Sequence, residues 1–119
     1  INCHSMNAVA GAMGKGGAGT PRADFVLGDR DGTTCSAEVT AFVQEQLKHH
    51  GYSVKVNDPF KGVELVRAHS DPAAGRHSLQ LEINKRLYMD QRTGLKIAHF
   101  AVLQQQLMQM LRGLQQHFA

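Results

Sequence analysis

Cysteine is scarce. The two present, Cys3 and Cys35, are too few for the disulfide framework of a small secreted domain and are not spaced as a metal-binding pair. A reducing, cytoplasmic compartment is therefore expected. No apolar run approaches the roughly eighteen residues of a membrane span, and no charged-then-apolar leader opens the chain, so no membrane association is expected. Charge is sparse as well: Asp, Glu, Lys and Arg make up 19% of the chain, below the usual level of about a quarter. The formal net charge of +3 comes from scattered Lys and Arg, without the basic run or interleaved aromatics that a nucleic-acid surface needs.

What is present is a hydrophobic content of 42% over 119 residues, enough for one domain with one core (1–119) and too little for two. Glycine is plentiful at 12 residues, so loops should take a good share of the length. The opening Ile1-Asn2-Cys3-His4 reads as the end of a buried strand whose beginning is missing, and the chain is expected to be a piece of a longer domain. No internal repeat is visible, and the pattern carries no signal of oligomeric state.

Residues 7–22 are small and polar, closed by Pro21, with neither helical nor alternating periodicity, which predicts a mobile loop. Within it, Gly14-Lys15-Gly16-Gly17-Ala18-Gly19 matches a dinucleotide fingerprint literally, but a strand rather than a helix should follow, so the match is taken as chance. Ala23 to Gly28 is a short apolar run stopped by Gly, a buried strand. Thr34 or Ser36 can cap a following helix whose face carries Val39, Phe42, Val43 and Leu47, with Gly51 at its left-handed end. Tyr52 to Val56 alternates as a strand, ended by Asn57-Asp58-Pro59. Residues 57–76 read as a long irregular stretch broken by a short strand at Val63 to Val66. Ser78 to Asn84 predicts a strand with Leu79, Leu81 and Ile83 on one face and Ser78, Gln80, Glu82 and Asn84 on the other. Residues 96–118 carry Ile97, Phe100, Leu103, Leu107, Leu111, Leu114 and Phe118 at intervals of three and four, a long amphipathic helix. Strand and helix alternate as in an α/β sheet covered by helices.

Two residues stand out chemically. His4 falls just past an apolar strand end, where open α/β sheets place ligands, although no second ligand stands near it at zinc spacing. Cys3 should face the other way, into the core. Glu82 is a carboxylate in the middle of a strand, between Leu81 and Ile83, costly to bury unless it is paired, hydrogen-bonded or kept for chemistry. A polar sheet face open to water, with Glu82 as an ordinary surface acid, is the alternative. His77 stands five residues from Glu82 and should face the opposite way. His49, His50 and His117 suit helix C-terminal ends, His99 reads as a solvated helix residue, and Met108 and Met110 as core filler.

The blocks Ile1-Asn2-Cys3-His4-Ser5-Met6, Ala23 to Arg30 with Gly32-Thr33 and Cys35-Ser36, Asn57-Asp58-Pro59-Phe60-Lys61-Gly62, His77 to Asn84 and Leu87-Tyr88-Met89-Asp90 resemble the N-formylglutamate amidohydrolase family in order and spacing. The likeness covers nearly the whole chain, which on this reading is the C-terminal portion of such a domain. It implies an α/β fold with a mixed sheet flanked by helices, phosphorylase/hydrolase-like and akin to the zinc carboxypeptidases. It further implies that His4 is one zinc ligand and that Glu82 activates the metal-bound water and then protonates the departing amine. The substrate would be N-formyl-L-glutamate or a related N-acylamino acid, as in histidine degradation. Asn57 and Arg67, with Arg30 as a third, are expected to hold its carboxylates, since guanidinium forks grip carboxylates in two places.

This chain departs from the resemblance at two points. The family usually has Asp where Asn2 stands, which would alter how the zinc His is oriented. The family's first zinc-binding motif has no counterpart here, and one His cannot hold a catalytic zinc. A non-catalytic fragment or binding module that keeps the fold without metal is thus the competing expectation.

Overall fold

The computed structural model describes residues 1–11 and 16–118. Four strands form one mixed sheet: β1 (Asn2–Met6), β2 (Phe25–Gly28), β3 (Val54–Val56) and β4 (Gln80–Asn84), in the spatial order β1-β4-β2-β3. β1 runs parallel to β4 and β2 parallel to β3, while β2 and β4 are antiparallel. The expected mixed-sheet α/β class is what is observed.

Strand alternation sorts the side chains onto two faces. Phe25, Leu27, Leu79 and Leu81 are buried on one of them, against Val39, Val43 and Leu47 of α1 (Ala37–His49) and Leu103 and Met110 of α3 (His99–Phe118). This is the core. α1 begins where Ser36 accepts a hydrogen bond from the Val39 amide at 3.3 Å, and the chain leaves it through Gly51 at a φ of 89°. Both were expected; Ser36, not Thr34, is the cap. Fully burying an aliphatic side chain of this size contributes about 1.5–3 kcal/mol, so the apolar stripe of α1 outweighs its indifferent helix propensity.

Several expectations need correction. Val63 to Val66 is not a strand: Val63 precedes a short helix, α2 (Glu64–Ala68), which buries Val66 alone and leaves Leu65 exposed. Four residues with two interleaved aliphatics fit either period, and burial of a single residue decided for the helix. The last helix starts at His99, and Ile97 and Leu111 are exposed. Met110 is core but Met108 is surface. His99 is half-buried rather than fully solvated; its Nε2 lies 2.6 Å from the Tyr52 hydroxyl, whose proton goes to Gln106 Oε1. β1 is an edge strand, so Cys3 is exposed and not core.

The described part of 7–22 is less loose than predicted. Its two arms pair, Ala10 N donating to Thr20 O and Arg22 N to Ala8 O. Gly14 and Lys15 of the fingerprint lie outside the described residues; Gly16 to Gly19 turn and run into Pro21 and β2, with no helix opening from them. Among the described residues, no helix is long and apolar enough to cross a membrane.

Candidate active site

The polar face of β4 is the centre of interest. Gln80, Glu82 and Asn84 are 2%, 5% and 0% exposed, so the open polar face considered from sequence is not what forms. Other segments close over it. Val63 N donates to Gln80 Oε1 at 3.0 Å, Asn84 Nδ2 donates to Ala23 O at 3.0 Å, and the backbone of Lys61 and Gly62 presses on Gly28, the cross-strand partner of Gln80.

Glu82 keeps an opposite charge within reach. In the parallel β1–β4 register His4 is its direct neighbour, on the same face, and His4 Nδ1 lies 3.5 Å from Glu82 Oε1. His4 is therefore in mid-strand rather than beyond a strand end, because β1 continues alongside β4 to Met6. Gln80 Nε2 donates weakly to the Glu82 carboxylate at 3.4 Å. Burial pushes the Glu82 carboxyl above its ordinary value, opposed by the nearby charges of His4 and Arg22. A carboxylate so balanced accepts a proton more readily than a surface acid and still ionises.

On the other side of the ring, the Asn2 side-chain amide nitrogen lies 3.1 Å from His4 Nε2. Each ring nitrogen of His4 thus has a polar neighbour, Nδ1 toward Glu82 and Nε2 toward Asn2.

The three residues expected to hold substrate carboxylates are engaged within the chain. Asn57, at a φ of 58°, donates from Nδ2 to Asp29 Oδ1 at 2.6 Å and accepts from the Asp29 amide at 3.0 Å, closing the ends of β2 and β3. Arg30 donates to the Gly62 carbonyl at 2.9 Å. Arg67 forms an ion pair with Glu64 on the exposed side of α2. Among the described residues no contact brings them beside Glu82 and His4.

Sequence reasoning missed three residues. Asp29 is buried and accepts from Gly32 N, Asn57 and the Thr40 hydroxyl, tying the β2–α1 turn to the end of β3. An acid followed by Asp31-Gly32 was a turn signal that could have found it. His77, judged only against Glu82, accepts from the Ser36 amide through Nδ1 at 3.1 Å and so assists the start of α1. Arg22 faces Glu82 electrostatically; its place directly before a buried strand carried no signal.

A family model described as N-formylglutamate amidohydrolase matches residues 1–89. The chain belongs to this family. It is 35% identical over 69 residues to an N-formylglutamate deformylase of Pseudomonas putida and 33% identical over 69 residues to one of Pseudomonas aeruginosa, 57% of this chain and 26% of each relative being covered. The crystal structure of N-formylglutamate amidohydrolase from Ralstonia eutropha JMP134 matches at a TM-score of 0.86 and 38% identity, over 98% of this chain and 43% of that one. The chain thus spans about a quarter of the length of the curated relatives. The family match falls on the first three quarters of this chain, which lends no support to the expectation that it is the family's C-terminal portion.

Zinc, which the family likeness suggests, can be tested against the residues. Among the described residues no group of three or more His, Cys, Asp or Glu side chains could hold a metal ion, and a catalytic zinc takes three protein ligands. His4 has Asn2 beside one ring nitrogen and Glu82 beside the other. The described residues of this chain do not by themselves fit a catalytic zinc.

Proposed function

We propose that this chain carries the acid/base element of a hydrolase that cleaves N-formyl-L-glutamate, or a related N-acylamino acid, into formate and the free amino acid. The supporting observation is Glu82: a carboxylate with its proton affinity raised by burial, held in register beside His4 on a neighbouring strand. In the reaction a water oxygen bonds to the formyl carbon, the carbon–nitrogen bond breaks, and the amine leaves protonated. Glu82 accepts the proton of the attacking water and returns it to the departing nitrogen, a role whose efficiency grows as the pKa of the group approaches the working pH. His4 and Arg22 favour the ionised state from which it must start. A zinc ion enters this reading only with ligands from outside the described residues.

A cytoplasmic setting and a place in histidine degradation belong to the same reading, and the unpaired thiols of Cys3 and Cys35 suit a reducing compartment. The competing reading, a fold-retaining module without catalysis, is favoured by the absence of a metal-ligand cluster among the described residues. One experiment separates them. In a protein of the full family length, Glu82→Gln should lower kcat by roughly two to four orders of magnitude while changing KM little, because the amide keeps the shape but cannot take a proton. Formate release at near-normal rate in that variant would remove Glu82 from the mechanism.

A further inference from the structure

The edge strand β1 leaves a defined set of groups unpartnered. In its parallel register with β4, Asn2 N donates to Leu79 O at 2.9 Å, so the backbone groups of Asn2, His4 and Met6 turn toward β4 and those of Ile1, Cys3 and Ser5 turn outward. Cys3 and Ser5 stand beside Leu81 and Ile83 on the apolar face, yet Ile1, Cys3 and Ser5 are all exposed, because the helical cover ends over β4. Two open cavities mark where it ends. One of about 220 Å³ lies among Ile83, Tyr88, Phe100 and Leu107, and one of about 260 Å³ among Ile1, Leu79, Leu111 and Leu114. No Lys, Arg, Asp or Glu lines either of them.

A five-residue edge without lysine, proline or bulge is a template for another strand. Antiparallel pairing with a second copy, about a two-fold axis at Cys3, matches every outward group: Cys3 meets Cys3 and Ile1 meets Ser5, each as a hydrogen-bonded pair. Paired residues share a face, so the apolar flanks of both copies fall on the same side. The two β4 strands are then three strand spacings apart, about 14 Å, which brings the Leu107 and Leu111 flanks of the two α3 helices together over the β1 pair. The surface area agrees. The chain exposes 7067 Å², whereas a folded monomer of 13.0 kDa exposes about 6,300 Å². The excess of roughly 700 Å² is close to the ~800 Å² that each partner gives to a stable interface.

We infer that this surface is an interface between two copies of this chain, joined through antiparallel β1 strands into one eight-stranded sheet, with α3 against α3 across the two-fold axis. The polar face bearing Glu82 lies on the opposite side of the joined sheet, so the inference goes beyond the proposed hydrolysis and does not rest on it.

The test is the oligomeric state of the 119-residue chain, measured by sedimentation equilibrium from low micromolar to submillimolar concentration. A reversible dimer is expected, with the outward amides of Cys3 and Ser5 protected from hydrogen exchange. Cys3→Lys sets two like charges against each other on the axis and should weaken association by at least about tenfold. Leu111→Glu, on the facing flank of α3, should do the same, and it keeps the test decisive if the strand variant does not fold. Val102→Glu, on the opposite side of that helix, should leave association unchanged. A short bis-maleimide should link two copies through Cys3, and Cys3→Ser should abolish the link but not the dimer. A monomer at every concentration would overturn the inference and leave the strip to chain outside the match, which is more than half of the Ralstonia protein. A dimer undiminished by Cys3→Lys and Leu111→Glu would overturn it as well, since the copies would then meet elsewhere.

Discussion

Glu82 shows how one residue's surroundings convert an ordinary acid into a reactive one. Desolvation is the dominant influence and raises its proton affinity above the ordinary 4.5; the charges of His4 and Arg22 pull the other way without winning. This has a consequence for stability as well as for catalysis. A carboxyl whose folded pKa exceeds its unfolded value binds its proton more tightly in the fold, so its stabilising contribution is whole below the unfolded pKa and is lost as pH rises through the folded pKa. Glu82→Gln does not ionise and escapes that loss. The variant should melt at a higher temperature than the wild type near pH 7.5, with the gap closing as the pH falls below about 4.5. Thermal melts across that range check it, and a gap that widens on acidification would show that the His4 and Arg22 attractions, not burial, dominate.

At the scale of elements, the site depends on loops folding over the polar face of β4, and Gly28 is where the fit is closest. A Cβ there would stand 2.6 Å from the Lys61 carbonyl carbon and 2.8 Å from the Gly62 nitrogen, both backbone atoms that cannot rotate aside. Gly28→Ala is expected to cost about 1–3 kcal/mol, as overpacking does, and to detach Val63 N from Gln80. Denaturant unfolding measures the first effect and amide exchange at Val63 the second; an unchanged midpoint would mean that the 61–62 segment shifts freely. The same closeness explains what was and was not legible. The alternation of Leu79, Leu81 and Ile83 against Gln80, Glu82 and Asn84 placed both faces of β4 correctly from local pattern alone. Whether the polar face was wet depended on Lys61, Gly62 and Arg22 arriving from distant parts of the chain, and no local pattern records that. α2 escaped notice because its burial rests on Val66 alone. Asn57 was read as a substrate contact from its place in a long loop, and no local pattern records that its side chain also bridges to Asp29.

Across the whole molecule, helices α1 and α3 cover one side of the sheet and irregular segments cover much of the other, while β1 lies at the edge. The family blocks made the fold class readable in advance, but the strand order β1-β4-β2-β3 was not, because the antiparallel β2–β4 pairing joins segments more than fifty residues apart. That order puts His4 beside Glu82, and among the described residues no group of three or more ligand-type side chains forms. If zinc is held in a protein of full family length, His4 must contribute one nitrogen, release Asn2 or turn from Glu82 to do so, and meet ligands from elsewhere. The 119-residue chain alone is therefore expected to take up zinc substoichiometrically after dialysis against an equimolar amount, and His4→Ala should change that uptake little, since residual binding would reside in exposed histidines such as His49 and His50. Elemental analysis of the two dialysed chains gives the answer. One tightly held zinc per wild-type chain, lost on His4→Ala and accompanied by hydrolysis of N-formyl-L-glutamate, would mean that His4 recruits partners within this chain, and the ligand count argued from its neighbours Asn2 and Glu82 would be wrong.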